Sequence, residues 1–182
     1  VVRHLFNCLT KWTAPLLPFT TEEAWAERYK DSQSVHLEQF PDVPSEWKNE
    51  ALAEKWKKVR TVRRAITGAL ELERAGKRIG SSLEAAPFVH ITDHELLASV
   101  AGLDMAEICI TSGLSISDAD GPDTAFRLDD VKGVSVVPAL AGGQKCARSW
   151  RYTSDVGSDP AFPDVSARDA AVLHELRALG RI

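Results

Sequence analysis

Apolar residues recur with a helical period in three stretches of this chain and with a strand period only in short runs. Val2, Leu5, Phe6 and Leu9 share one helical face, so residues 1 to about 13 are predicted as a helix that Pro15 and Pro18 interrupt. Thr20 followed by Glu23 has the spacing of a capping box and predicts a second helix carrying Ala24, Trp25 and Tyr29. Val35 to Phe40 reads as extended ahead of Pro41. Leu52, Trp56, Val59, Ile66 and Leu70 form one stripe that predicts the longest helix, from Glu46 to about Ala75, with Gly76 as its stop. Arg63 falls inside that stripe, where it either meets a partner carboxylate or snorkels to solvent.

Beyond Gly80 the period shortens. Phe88 to Ile91, Ile108 to Ile110 and Val134 to Val137 read as strands. Asp93 is placed to cap a short helix through Leu96, Leu97 and Val100. Ser115 to Lys132 reads as a polar loop with a weak strand near Phe126. A last helix is predicted after a Ser166 cap, with Asp169 near its positive end, Val172, Leu173, Leu176 and Leu179 as its apolar face, and Gly180 ending it.

Charge changes this picture where composition does not. The 182 residues are 44% hydrophobic and carry a net charge of −4. Lys48 to Gly80 holds ten basic and four acidic residues, a net +6 that leaves −10 for the rest of the chain. Such asymmetry fits a polyanion-binding face as well as a solvated helix face. Within it Lys57, Arg60 and Arg64 lie together beside the apolar stripe. Cys8, Cys109 and Cys146 are odd in number and far apart, so reduced thiols are expected rather than a disulfide framework. With no signal peptide and no apolar run near the ~20 residues of a spanning helix, the expectation is a soluble, cytoplasmic chain without a membrane partner. It opens V-V-R-H-L-F without methionine, Met105 being its only one, which predicts a fragment of a longer polypeptide.

Catalytic motifs are missing. There is no phosphate-binding G-x-x-x-x-G-K-[ST], no dinucleotide fingerprint and no G-x-S-x-G elbow. His90 and His94 straddle a predicted strand end and helix start, so they do not share a face for a metal. Asp118, Asp120 and Asp123 lie in a Gly-bearing loop that lacks the closing glutamate of a calcium loop.

Three blocks in order carry a resemblance: A-P-L-L-P-F-T-T-E-E-A-W (Ala14 to Trp25), S-V-H-L-E-Q-F-P (Ser34 to Pro41) and A-L-E-L-E-R-A-G-K-R-I-G-S-S-L-E-A (Ala69 to Ala85). A fourth, K-C-A-R-S-W-R-Y-T-S-D-V-G, runs from Lys145 to Gly157. Together they resemble the C-terminal part of bacterial isoleucyl-tRNA synthetases. The P-F-T-x-E-E block is shared with other class I synthetases for aliphatic amino acids, while S-S-L-E-A is more particular to isoleucine. The resemblance implies a mainly α chain in three parts. Residues 1–80 would supply the last helices of a partial anticodon-binding bundle, 81–140 a small connecting α+β subdomain, and 141–182 a zinc-finger-like module. The implied role is to position the tRNA(Ile) anticodon stem-loop for an ATP-dependent isoleucine–tRNA ligase, in a monomer. ATP with magnesium, and the editing site, would belong to other domains of the same chain, where the H-I-G-H and K-M-S-K-S signatures would lie. This stretch would do no chemistry itself. The competing readings are a helical protein-interaction module and the matching region of the valyl enzyme.

Single-stranded loops are gripped by basic side chains on phosphates and by aromatic rings on splayed bases. Lys57, Arg60, Arg64, Lys77 and Arg78 are the candidate phosphate contacts, and Trp150 and Tyr152 with Arg148 and Arg151 the candidate base-stacking cluster. Some of the cations would instead pair with Glu50, Glu54 or Glu71 along the helix, and Trp150 would instead pack in a small core. The resemblance also implies two C-x-x-C pairs holding zinc. Here those positions are Cys146 and Ser149, then Ser166 and Asp169, so one thiolate of four remains. Serine does not ionise at neutral pH, and no structural zinc is expected. Cys146, Asp169 and His174 are the one other set that would offer a metal ligands here. Trp150, Phe162, Leu173 and Leu176, with the Ser166 cap, are expected to stabilise the module in zinc's place.

Overall fold

The computed structural model describes residues 1–182, which divide into two compact units, Val1–Asn49 and Glu50–Ile182. No helix is long and apolar enough to cross a membrane.

The first unit has two helices, α1 (Val2–Thr13) and α2 (Pro18–Arg28), followed by single 3-10 turns at Val35–Leu37 and Ser45–Trp47. The expected Thr20 cap is not used. Pro18 occupies the first turn of α2, where its fixed φ and missing N–H cost nothing, so the helix starts three residues earlier. Trp25, Ala14 and Val35 are buried together with Phe6 and Tyr29 against them. The residues after α2 are not an extended strand: Ser34 caps a 3-10 turn, its hydroxyl accepting from His36 N at 3.2 Å. The same hydroxyl donates to Glu22 Oε2 at 2.7 Å, and Val35 N donates to that oxygen at 3.0 Å. The P-F-T-T-E-E and S-V-H-L blocks therefore lock to each other through one carboxylate. Val2, Leu5 and Leu9 of α1 remain exposed, because the unit's own core covers only the Phe6 side of the helix.

In the second unit α3 (Glu50–Ala75) lies on a four-stranded sheet of order β2-β1-β4-β3, formed by β1 (Phe88–Ile91), β2 (Ser115–Ser117), β3 (Phe126–Leu128) and β4 (Val131–Val137). β1 pairs parallel with β2 and antiparallel with β4. The parallel pair needs a crossover, supplied by α4 (His94–Val100) and α5 (Met105–Cys109). Val59, Val62, Ala65, Ile66, Ala69 and Leu70 of α3 share one core with Val89, Ile91, Val131, Val134 and Val136. The helix approaches β3 closely enough that a Cβ at Gly68 would sit 3.2 Å from the Phe126 ring. The resemblance groups α3 with the helices before it; its buried face packs on the sheet after it.

Three expectations change here, the first being that the stretch read as a loop from Ser115 begins with β2, which pairs with β1. Ile108 to Ile110 is not a strand: Asp104 caps α5 by accepting from Glu107 N at 2.9 Å, and Ile110 ends it in the left-handed region. A local side-chain cap outweighs the β-branched run. Gly76 does not take the left-handed position after α3. Lys77 does, with φ 57°, and Arg78 N and Lys77 N close a Schellman motif on Glu73 O and Arg74 O.

The chain ends in a small hairpin, β5 (Gln144–Lys145) with β6 (Tyr152–Thr153), and α6 (Ala167–Ala178). Gly143 permits the hairpin: a Cβ there would come within 2.3 Å of the Thr153 backbone, and its φ is +93°. Ser166 caps α6 as expected. The local core is Cys146, Val165 and Ala170, with Val156, Phe162 and Leu173 against it, whereas Trp150 is 62% exposed. The turn that raises Cys146 into the core turns Trp150 outward.

Candidate nucleic-acid interface

The basic face of α3 is real, and much of it is already answered by acids. Lys57 Nζ lies 2.5 Å from Glu54, the within-helix pairing anticipated for it. Arg64 Nη2 reaches Asp130 at 2.8 Å, across to the β3–β4 turn. Arg78 grips Glu73 through two contacts, Nη2 to Oε1 being 2.6 Å, and this holds the Glu73 carboxyl below the usual carboxylate range. Lys58 meets Glu95 of α4 at 2.6 Å, and that hydrogen bond raises its pKa. Arg63 neither meets a carboxylate nor snorkels free: its Nε donates to Ile108 O at 2.9 Å, a cation on a helix C-terminal carbonyl. Arg60 and Lys77 are exposed and form no ion pair.

The S-S-L-E-A block is the return path from α3 to β1. Arg74 Nη2 donates to Ser82 Oγ at 2.8 Å, Gly80 N to Glu84 Oε2 at 3.0 Å, and Ile79 and Ala85 are buried. The block is thus explained by packing, and it leaves the Lys77 side chain outside.

At the C-terminal hairpin the predicted cluster separates into support and display. Arg151 Nη2 donates to Ser112 O at 3.2 Å and Tyr152 N to Ser112 Oγ at 2.7 Å, so both tie the hairpin to the segment before β2. Arg148 is exposed and unpaired. Trp150 N donates to Cys146 O at 2.9 Å, a closure that puts Trp150 at φ 61°. A bulky residue held in the left-handed region is rare and costs of order 1 kcal/mol. The ring is displayed despite that cost, and Lys145 Nζ stands 5.2 Å from its centre. The Lys145–Trp150 contact carries no signal in the sequence, because it forms only when the hairpin pairs Lys145 with Tyr152.

The Cys109 thiol and the His90 and His174 rings are each held by their surroundings. Burial pushes the Cys109 thiol up to about 11. No three His, Cys, Asp or Glu side chains come together as a metal-ligand group. His90 Nδ1 faces Ala119 O at 3.2 Å, and His174 Nε2 is engaged 2.8 Å from Asp159 Oδ2, away from Cys146 and Asp169. That contact with His174 is the main cause holding the Asp159 carboxyl below its ordinary range. A depressed folded-state pKa contributes stability that is present above the unfolded pKa and lost as pH falls through the folded one. Acid titration of thermal stability is therefore expected to show the wild type's advantage over Asp159→Asn shrinking as pH falls from the ordinary aspartate range through the lower folded-state value; a difference that stays constant over that whole interval would contradict this assignment.

Comparison with known proteins adds the missing context. Residues 1–89 match the family described as the anticodon-binding domain of tRNA ligase. Over 181 residues and its whole length the chain is 67% identical to the isoleucine–tRNA ligase of Brucella abortus biovar 1 (strain 9-941). Along its whole length the chain is similar to one segment of isoleucine–tRNA ligases. It is 67% identical over 185 residues to the isoleucine–tRNA ligase of Mesorhizobium japonicum, and 63% identical over 179 residues, 98% of the chain, to that of Agrobacterium fabrum. It spans 18–19% of the length of these relatives. Neither the interaction-module nor the valyl reading is favoured by them.

Proposed function

We propose that this chain is the tRNA-gripping segment of an isoleucine–tRNA ligase and that it holds the anticodon stem-loop of tRNA(Ile). The observation that carries the reading is the coincidence of the residue 1–89 family match with full-length identity to isoleucine–tRNA ligases. The parent reaction is the ATP-dependent joining of isoleucine to its tRNA. ATP, magnesium and the editing chemistry reside in other domains, and this segment contributes orientation, since a well-held anticodon places the acceptor end at a distant active site. Residues 1–80 supply helices of the anticodon-binding region, and 141–182 is the counterpart of a zinc-finger-like module. The working protein is a cytoplasmic monomer.

The geometry supports a division of labour among the nine candidates. Arg60, Lys77 and Arg148 are the free cations and take phosphates first. Lys57, Arg64 and Arg78 sit in exposed ion pairs, each worth only ~0–1 kcal/mol, so phosphate can draw them away from their carboxylates. Trp150 stacks on a base, with Lys145 beside it, while Arg151 and Tyr152 hold the hairpin in place.

The test is binding to a tRNA(Ile) anticodon stem-loop and to a non-cognate loop across a salt series. Three to six phosphate contacts predict a log–log salt slope of roughly −2 to −5, with tighter binding of the cognate loop. Salt-insensitive or absent binding would overturn the proposal.

A further inference from the structure

The zinc that the family resemblance implies does not fit this chain. Zinc needs four ionised or imidazole donors, and the four corresponding positions offer one thiol, two hydroxyls and one carboxylate: Cys146, Ser149, Ser166 and Asp169. His174, the remaining ligand type within reach in sequence, is taken by Asp159. Yet the four positions still converge. The Cys146 thiol donates to Asp169 Oδ2 at 3.0 Å, and the Ser166 hydroxyl donates to the same oxygen at 3.0 Å. The Cys146 sulfur in turn accepts from Ser149 N at 3.5 Å and Ser166 N at 3.4 Å.

We infer that this cluster is a metal-independent clasp, in which the Asp169 carboxylate takes over the cross-linking role of a metal ion and holds the Trp150 turn against the start of α6. Three observations carry it. The contacts join segments 20 or more residues apart, Cys146 to Ser166 and Asp169, as a metal centre would. Cys146 is fully buried while the Asp169 carboxylate is only partly so, which gives a small core sealed by one anion. The clasp residues also have second roles: Ser166 caps α6, Asp169 places negative charge in its first turn, and Cys146 O accepts from Trp150 N to close the displayed turn. Flanking bonds close the same seam, Ala147 N donating to Asp164 O at 2.9 Å and Ala167 N to Asp155 Oδ2 at 3.1 Å.

This inference is independent of RNA binding, and so is its test. The purified protein is assayed for bound metal, and amide hydrogen exchange is followed with and without a strong chelator. Expected are no stoichiometric zinc and protection at Cys146, Ser149 and Ser166 that the chelator leaves unchanged. Asp169→Ala and Cys146→Val are expected to raise exchange at these amides roughly 10- to 100-fold, the loss of a hydrogen bond to a charged group, while β4 amides keep their protection. Cys146→Ser keeps an O–H donor for Asp169 and should stay within a few-fold of wild type. About one zinc per chain, removed by chelator together with the protection, would overturn the inference. Unchanged exchange in both Asp169→Ala and Cys146→Val would overturn it equally.

Discussion

Replacing Trp150 with alanine should weaken binding to the tRNA(Ile) anticodon stem-loop by roughly 10- to 100-fold, the range for losing one stacked base. Thermal stability should stay level or rise. The ring is 62% exposed and contributes no core packing, while its backbone sits at φ 61°. Trp150→Gly sharpens the test, because glycine relieves the left-handed conformation at little cost. The glycine variant should be at least as stable as the alanine variant and just as poor at binding RNA. Trp150→Phe, which retains a stacking face, should recover part of the affinity. Binding by fluorescence titration and melting by calorimetry separate the two effects. Full affinity in the alanine variant would remove Trp150 from the interface, whatever else binds there.

Ile66→Ala should destabilise the second unit by about 2–5 kcal/mol, the usual cost of a large-to-small change at a buried aliphatic site. Ile66 is 0% exposed, midway along α3, in the core shared with Val89, Ile91 and Val136. Because one core serves helix and sheet, exchange protection should fall together in α3 and β4. A variant that loosened α3 while β4 kept its full protection would mean that helix and sheet are separate cooperative units. The equivalent truncation at Leu52, 49% exposed on the same predicted stripe, should cost far less, so the pair measures where the stripe actually stops.

Much of the local structure was legible in the sequence, and for a common reason. Asp93, Ser166 and Gly180 act within a few residues of where they stand, by capping an adjacent N–H or by tolerating a left-handed turn. β1 lies where the run Phe88 to Ile91 placed it. Local reasoning failed where two local signals competed. Thr20 lost to Pro18 at the start of α2, and the run Ile108 to Ile110 lost to the Asp104 cap. In both cases the stronger signal was present in the sequence, four or fewer residues from the one preferred.

The candidate interface divides differently. Charge counting located the basic segment, and spacing put Lys57, Arg60 and Arg64 on one face. The Lys57–Glu54 and Arg78–Glu73 pairs are local, but for three other cations the occupying group is distant in sequence. Asp130 answers Arg64, Glu95 answers Lys58, and Ile108 O answers Arg63. Trp150 likewise offered two readings, core or display, and only the hairpin geometry chose display.

What the sequence determined alone is the chain's likeness to isoleucine–tRNA ligases, its helix limits to within a few residues at most ends, and the hydroxyl side chains at Ser149 and Ser166. These are properties of residue identity and of interactions spanning one or two turns. What only the tertiary structure decided is which core α3 joins, which cations remain free for phosphate, and that Asp169 meets Cys146 and Ser166. Each depends on groups brought together from 20 to 60 or so residues apart, and side-chain chemistry at one position carries no record of the partner that folding delivers to it.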